Sequence, residues 1–232
     1  MPNPDQKIPY KSPKFYFVYF IIFSIIILLI FSFKIVGYFW DYSSIIRNMD
    51  KYYKGRQTEL VQVYPQINQG DPVKGAPDAK VIIYEYSDFL CSACKDRQAD
   101  LAALAKYFGD KISFVFKGVP VTDQPESQNA MLAAYCAAEQ NRFWEYKDLL
   151  FNNQALLNEV MYRELATQLG LNLDQFNQCF GQKKYQSIIT NNLADALGLQ
   201  INSTPTLYIN KQKIEGFFDF TSIKGVVEQE LR

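Results

Sequence analysis

The chain has 232 residues, room for one ordinary domain with extensions, and its 24 basic and 24 acidic side chains leave no formal net charge. The basic residues are scattered rather than clustered with aromatics, which argues against a nucleic-acid partner. Histidine is absent, which removes most metal sites, every histidine-dependent triad and the commonest general base.

Residues 1–14 contain proline and lysine without apolar periodicity and are expected to form a short cytoplasmic tail. From Phe15 to Phe33 nineteen residues carry no charge, enough to cross the hydrocarbon core as a helix. A cleaved signal peptide has a shorter apolar core, about 7–15 residues, and then a small-residue cleavage site. Here Lys34 follows, and then Tyr38, Phe39 and Trp40, the composition of an interface belt. The expectation is an uncleaved, single-pass transmembrane signal anchor over 15–36, embedded in the lipid bilayer of the cytoplasmic membrane. Lys7, Lys11 and Lys14 against Asp5 favour a cytoplasmic N-terminus, although Lys34, Arg47, Lys51, Lys54 and Arg56 nearly balance that count. Four cysteines in a chain anchored in this way fit an oxidising compartment, so the C-terminal part is expected outside the cytoplasm.

A juxtamembrane stalk is expected over 37–70. The turn formers from Gln69 to Asp78 then mark the start of a globular domain over 71–232. Val81 to Tyr86 reads as a buried strand, and Lys95 to Phe108, with Leu101, Leu104, Ala105 and Phe108 at helical spacing, as a helix. Between them stands Cys91-Ser92-Ala93-Cys94, with the first cysteine at the helix N-terminus. Free backbone N–H groups and the positive dipole end favour a thiolate there, and a second sulfur one turn along can resolve a mixed disulfide. Ile112 to Phe116 reads as a second strand, which completes a βαβ unit with parallel pairing.

A stretch without strand character follows, about 122–199. Its predicted helices cover Ala130–Ala138, Phe143–Phe151, Val160–Leu169, Leu173–Phe180 and Tyr185–Leu197, with Gly170 and Gly198 where helix stops belong. Phe143, Trp144, Tyr146 and Phe151 read as core. Thr206–Ile209 and Gln212–Ile214 then read as a hairpin and Phe220–Leu231 as a closing helix.

In this order and with these motifs the chain resembles the DsbA-like disulfide oxidoreductases, which have a thioredoxin fold with a helical insertion. The resemblance covers about residues 70–232. It is carried by Glu85-Tyr86-Ser87-Asp88-Phe89 before the cysteine pair, by Ser203-Thr204-Pro205-Thr206 about 110 residues after it, and by Cys136 to Tyr146 in the insert. The implied fold class is α/β, a thioredoxin fold with a helical insertion, here preceded by a single transmembrane helix. The implied activity is thiol–disulfide exchange without a cofactor or metal. Cys91 would attack, or be attacked, and Cys94 would resolve. Its implied partners are exported proteins with reduced or non-native cysteines and a membrane redox partner that reoxidises the pair.

The resemblance also implies that Pro205 is cis and that Thr204 before it contacts substrate and tunes the pair. Oxidising members of the family often carry Pro-His between the cysteines, where this chain has Ser92-Ala93. Thiolate stabilisation would then rest on helix N–H groups, the dipole and the Ser92 hydroxyl, and the pair should oxidise less strongly. Glu85 has two readings, a buried carboxylate relaying protons to the resolving thiol or a side chain on a solvated face. If Cys91 pairs with Cys94, Cys136 and Cys179 are left either as a structural disulfide, which an oxidising compartment favours, or as two buried thiols. Three functions follow: an oxidase of exported proteins, a disulfide reductase or isomerase, and a membrane-anchored chaperone or assembly factor in which the cysteines are incidental.

Overall fold

The centre of the fold is set by two strands whose residues are almost all buried. β2 (Val81–Ser87) and β3 (Ile112–Gly118) run parallel, in register from Val81 opposite Ile112 to Ser87 opposite Gly118. Strands covered on both faces read as continuous apolar and β-branched runs, as these do. A parallel pair needs a crossover, and α1 (Ser92–Phe108) with the short 3₁₀ turn Gly109–Lys111 supplies it. This is a computed structural model, and it describes residues 64–121, 124–216 and 218–232 together with Leu28 and Lys34.

The sheet is completed by β1 (Val73–Gly75), antiparallel to β3, and by the hairpin β4 (Thr206–Ile209) and β5 (Gln212–Glu215), with β4 antiparallel to β2. The order is β1-β3-β2-β4-β5. β1 lies inside the stretch whose turn formers predict only irregular chain; three residues pairing along one edge leave no periodicity to read. Gly75 belongs to that pairing: it has φ +116°, and a Cβ there would stand 2.7 Å from the Ile112 carbonyl oxygen.

Side-chain alternation sends Val81 and Ile83 to one face, where they meet Leu101, Leu104 and Phe108 of α1. Ile223 and Val227 of the closing helix α7 (Phe220–Glu230) cover the same face. Tyr84, Tyr86 and Tyr208 face the other side, against Ala196 and Ile201. Also on that side, Lys117 is buried in an ion pair with Asp71 and lies 3.7 Å from Asp195. Burial holds the Asp71 carboxyl above the usual carboxylate range, against the hydrogen bond from Lys117.

Between β3 and β4 lie α2 (Pro125–Ala138), α3 (Phe143–Asn152), α4 (Glu159–Gln168), α5 (Leu173–Gly181) and α6 (Gln186–Gly198). α2 is buried along its length from Ala130 to Ala137, because its run of alanines lets neighbours approach on every side. Cys136 of α2 and Cys179 of α5 are joined by a disulfide inside this core. Phe143, Tyr146 and Phe151 are buried, whereas Trp144 is only partly so and touches both the insert core and the sheet core. Gly170 takes the left-handed position after α4, as expected, but after α6 that position falls to Gln200, with Gly198 still helical.

The expected tail, most of the expected span and the stalk up to residue 63 lie outside the described residues; Leu28 and Lys34 are helical. Among the described residues no helix is long and apolar enough to cross a membrane.

Candidate active site

β2 delivers its chain to a short loop, and Cys91 ends that loop as the N-cap of α1. Its backbone is extended, with φ −77° and ψ 113°, while its sulfur accepts a hydrogen bond from the Cys94 N–H at 3.1 Å. Serine, aspartate and asparagine oxygens commonly fill this capping role, and here a sulfur takes it. The cap bond aims a backbone donor at the sulfur where the helix dipole also favours negative charge. Cys91 is half-buried and Cys94 fully buried.

From the other end of the domain the turn before β4 closes on the same sulfur. The Thr204–Pro205 bond is cis, and the Cys91 thiol donates to the Thr204 carbonyl oxygen at 3.3 Å. Three of the sequence-predicted residues, Cys91, Cys94 and Thr204, thus share one small volume with Pro205 beside them. Ser92 and Ala93 occupy the exposed first turn of α1.

These contacts separate the two thiols. The Cys91 thiol is lowered from the ordinary thiol range to about 6, chiefly by a hydrogen bond from the Cys94 side chain, with the Thr204 side chain and the Cys94 backbone adding to it and burial opposing. Burial pushes the Cys94 thiol strongly up, and its hydrogen bond to Cys91 acts in the same direction. One sulfur is set up to carry charge and the other to keep its proton.

Glu85 lies beneath α1, on the face of β2 that carries Val81 and Ile83, and it is 1% exposed; the solvated reading does not hold. Its carboxylate stands 2.9 Å from the Lys147 ammonium, delivered by α3. Gln98 donates to Glu85 Oε1 and to the Cys94 carbonyl, each at 2.9 Å, and accepts from Lys147 at 2.5 Å. A buried ion pair thereby reaches the backbone of the second cysteine through one amide. Sequence reading missed both partners. Gln98 stands one turn after Cys94, a spacing open to view, but Lys147 sits in a stretch whose apolar residues dominate the pattern.

Asp88 and Gln154 were missed as well, and both hold the loop that carries Cys91. The buried Asp88 carboxylate accepts from the N–H groups of Leu90 and Val121, each at 2.9 Å, and from the Ser127 hydroxyl at 2.6 Å. Gln154, from the insert, donates to the carbonyls of Phe89 and Cys91 at 2.7 and 2.9 Å. Asp88 stands in the motif before the cysteine pair without a role legible there, and nothing in the local sequence distinguishes Gln154 from an ordinary surface polar residue.

Comparison with known proteins agrees with this geometry. A family model described as thioredoxin matches residues 67–229. A Na⁺/H⁺ antiporter, NhaA 1, of Mycolicibacterium gilvum is 32% identical over 162 residues, 68% of this chain and 26% of the antiporter. Another from Herminiimonas arsenicoxydans is 27% identical over 70% of this chain and 26% of its own length. This chain therefore spans about a quarter of the length of these curated relatives. Among solved structures, oxidised BdbD of Bacillus subtilis is 26% identical and superposes with TM-score 0.66, over 72% of this chain and 96% of BdbD. The thiol–disulfide exchange protein α-DsbA2 of Wolbachia pipientis shares 18% identity and the fold, with TM-score 0.66 over 78% of this chain and 97% of its own. With a cysteine capping α1 and the cis-proline turn beside that sulfur, the chain belongs to the thioredoxin family.

Proposed function

We propose that the protein is a membrane-tethered, extracytoplasmic oxidase that introduces disulfides into exported proteins through Cys91 and Cys94. The observation that carries this reading is the Cys91 sulfur, half-exposed, capped by an N–H and lowered to about 6 beside the Thr204–Pro205 turn. A substrate thiolate attacks the Cys91 sulfur of the Cys91–Cys94 disulfide, and Cys94 leaves and takes up a proton, which its raised value favours. A second substrate thiolate then attacks the substrate sulfur of the mixed disulfide and displaces Cys91. The low value of Cys91 makes it the better leaving group. Two electrons pass from the substrate dithiol to the protein, and a membrane redox partner takes them away.

Glu85, buried beneath α1 and sharing Gln98 with the Cys94 backbone carbonyl, is the group we assign to proton exchange with the resolving thiol. Thr204, half-buried beside Cys91, is the residue we assign to substrate contact, with the buried cis Pro205 behind it. The Cys136–Cys179 disulfide supports an oxidising compartment, and the uncharged run from Phe15 to Phe33 supports the tether. Reduction or isomerisation is the second reading, favoured by Ser92-Ala93, which brings no cation to the thiolate.

The test is the reduction potential of the Cys91–Cys94 couple against glutathione, together with oxidation of a reduced, unfolded protein. An oxidase has a couple more oxidising than glutathione and forms disulfides in the target. A more reducing couple moves the assignment to reductase. Oxidation or folding assistance that survives Cys91→Ser would replace both with a binding role.

A further inference from the structure

Ser87 ends the row of β2 side chains that faces α1, after Val81, Ile83 and Glu85. It pairs with Gly118 of β3, where a Cβ would stand 3.1 Å from the Met131 sulfur and 3.3 Å from the Phe116 ring. Apolar groups therefore border this position, and Phe116 and Met131 pack into one core with the buried Cys94 from the first turn of α1. Ser87 is fully buried, and its carbonyl is taken by the Val119 N–H at 3.0 Å. No described residue makes a hydrogen bond of ordinary geometry to its hydroxyl. A buried polar atom without a partner is costly and rare, and a redox role is one of the few reasons to keep it. The sulfur of Cys94 supplies that reason. Burial and the hydrogen bond with Cys91 push the Cys94 thiol up, while the Asp88 N–H and the Ser87 and Thr204 hydroxyls act against them.

We propose that Ser87 is the hydrogen-bond donor that receives the Cys94 thiolate when the Cys91–Cys94 disulfide opens. The inference rests on the exchange reading of the two cysteines and deepens it. A substrate thiolate attacks the Cys91 sulfur and bonds to it, and the electron pair of the broken sulfur–sulfur bond goes to Cys94. Until a proton arrives, that charge lies in a buried site that disfavours it. The Ser87 hydroxyl, held by no other acceptor, rotates toward the sulfur and donates to it while keeping its own proton. The same contact serves in reverse, when the Cys94 thiolate attacks a mixed disulfide on Cys91. Glu85, two positions earlier on the same face of β2, exchanges the proton; Ser87 holds the charge before the proton comes. Because Cys94 rests protonated, the hydroxyl lowers the barrier in both directions and leaves the equilibrium of the couple unchanged.

The experiment opens the disulfide of the oxidised full chain in detergent micelles with dithiothreitol and follows it by acid quench and alkylation. Ser87→Ala should open about tenfold more slowly, a loss that one hydrogen bond to a charged group allows. Ser87→Thr, which keeps the hydroxyl, should stay within about threefold of the unaltered rate. The equilibrium of Ser87→Ala with glutathione should move by less than about twofold. Its urea midpoint in the reduced form should not fall, because an apolar group in place of an unbonded hydroxyl removes no bond. Opening of Ser87→Ala at the unaltered rate overturns the assignment. So does a Ser87→Thr as slow as Ser87→Ala, or a lowered midpoint or failed folding in Ser87→Ala, since the hydroxyl would then act through packing. A glutathione equilibrium displaced tenfold also overturns it, because Ser87 would then act on a resting form. If dithiothreitol does not open the disulfide of the unaltered chain, the exchange reading itself fails, which separates the two failures.

Discussion

The sulfur of Cys91 stands 3.3 Å from the carbonyl oxygen of Thr204, a residue 113 positions further along the chain. That contact brings the N-terminus of α1 against the cis Thr204–Pro205 turn, with β2 and β4 paired beneath them from Ile83 opposite Ile209 to Tyr86 opposite Thr206. The sheet thus fixes both halves of the site. Thr204 lies half-buried beside Cys91 on that side, with the cis Pro205 buried behind it.

The unequal sulfurs lead to unequal trapping. Cys94→Ser removes the buried resolving thiol and should accumulate mixed disulfides on Cys91, visible as reductant-sensitive adducts on non-reducing gels. Cys91→Ser should trap almost nothing and lose exchange activity. Equal trapping by the two variants, or trapping that follows Cys94, would reverse the roles assigned to them.

The acidity of Cys91 sets a pH signature in the reduced protein. Its value is lowered to about 6 in the folded state, against an ordinary thiol near ~8.5 in the unfolded chain. Between those limits the unfolded chain binds more protons, so stability of the reduced form rises with pH from about 6 to about 8.5 and is lost as pH falls through 6. Above about 8.5 the raised Cys94 thiol pulls the other way. Urea unfolding of reduced and oxidised protein across this range should show the rise only in the reduced form. Alkylation of Cys91 should follow the same thiolate, climbing through pH 6 to a plateau.

The Glu85–Lys147 pair is expected to matter through the group left behind when one partner goes. Both side chains are buried, and breaking such a pair costs about 3–5 kcal/mol, because the remaining charge has lost its partner. Lys147→Met should therefore lower the urea midpoint markedly. The double variant Glu85→Gln/Lys147→Met should recover much of that loss. Additive losses in the double variant would show that the two side chains do not act as a pair.

The disulfide between Cys136 and Cys179 closes a 43-residue separation inside the insert core. A crosslink of that span stabilises by about 2–4 kcal/mol, largely through the unfolded chain. Cys136→Ala/Cys179→Ala should lower stability by that order, and mild reductant should open Cys91–Cys94 first. Mass mapping that finds both thiols free in protein from its own compartment would refute the bridge there.

The order of elements and the location of the cysteine pair were legible because they rest on local, periodic signals. Apolar runs marked β2 and β3, helical stripes marked the insert, and Cys91 announced itself by its place between a strand and a helix. The short edge strand β1 was not legible, since pairing by three residues is decided by the neighbour across the sheet. Charge partners were hidden for the same reason. Lys147, Gln98 and Glu85 come from α3, α1 and β2, and no spacing along the chain relates them. Asp88 sits in a legible motif, but its role, like that of Gln154, appears only when folding places donors and carbonyls around them. The sequence by itself determined which sulfur caps the helix, because capping depends on residues three apart. Only tertiary structure decided what meets that sulfur, what lies under it and how far its acidity moves, because burial and long-range hydrogen bonds exist only once the sheet has closed.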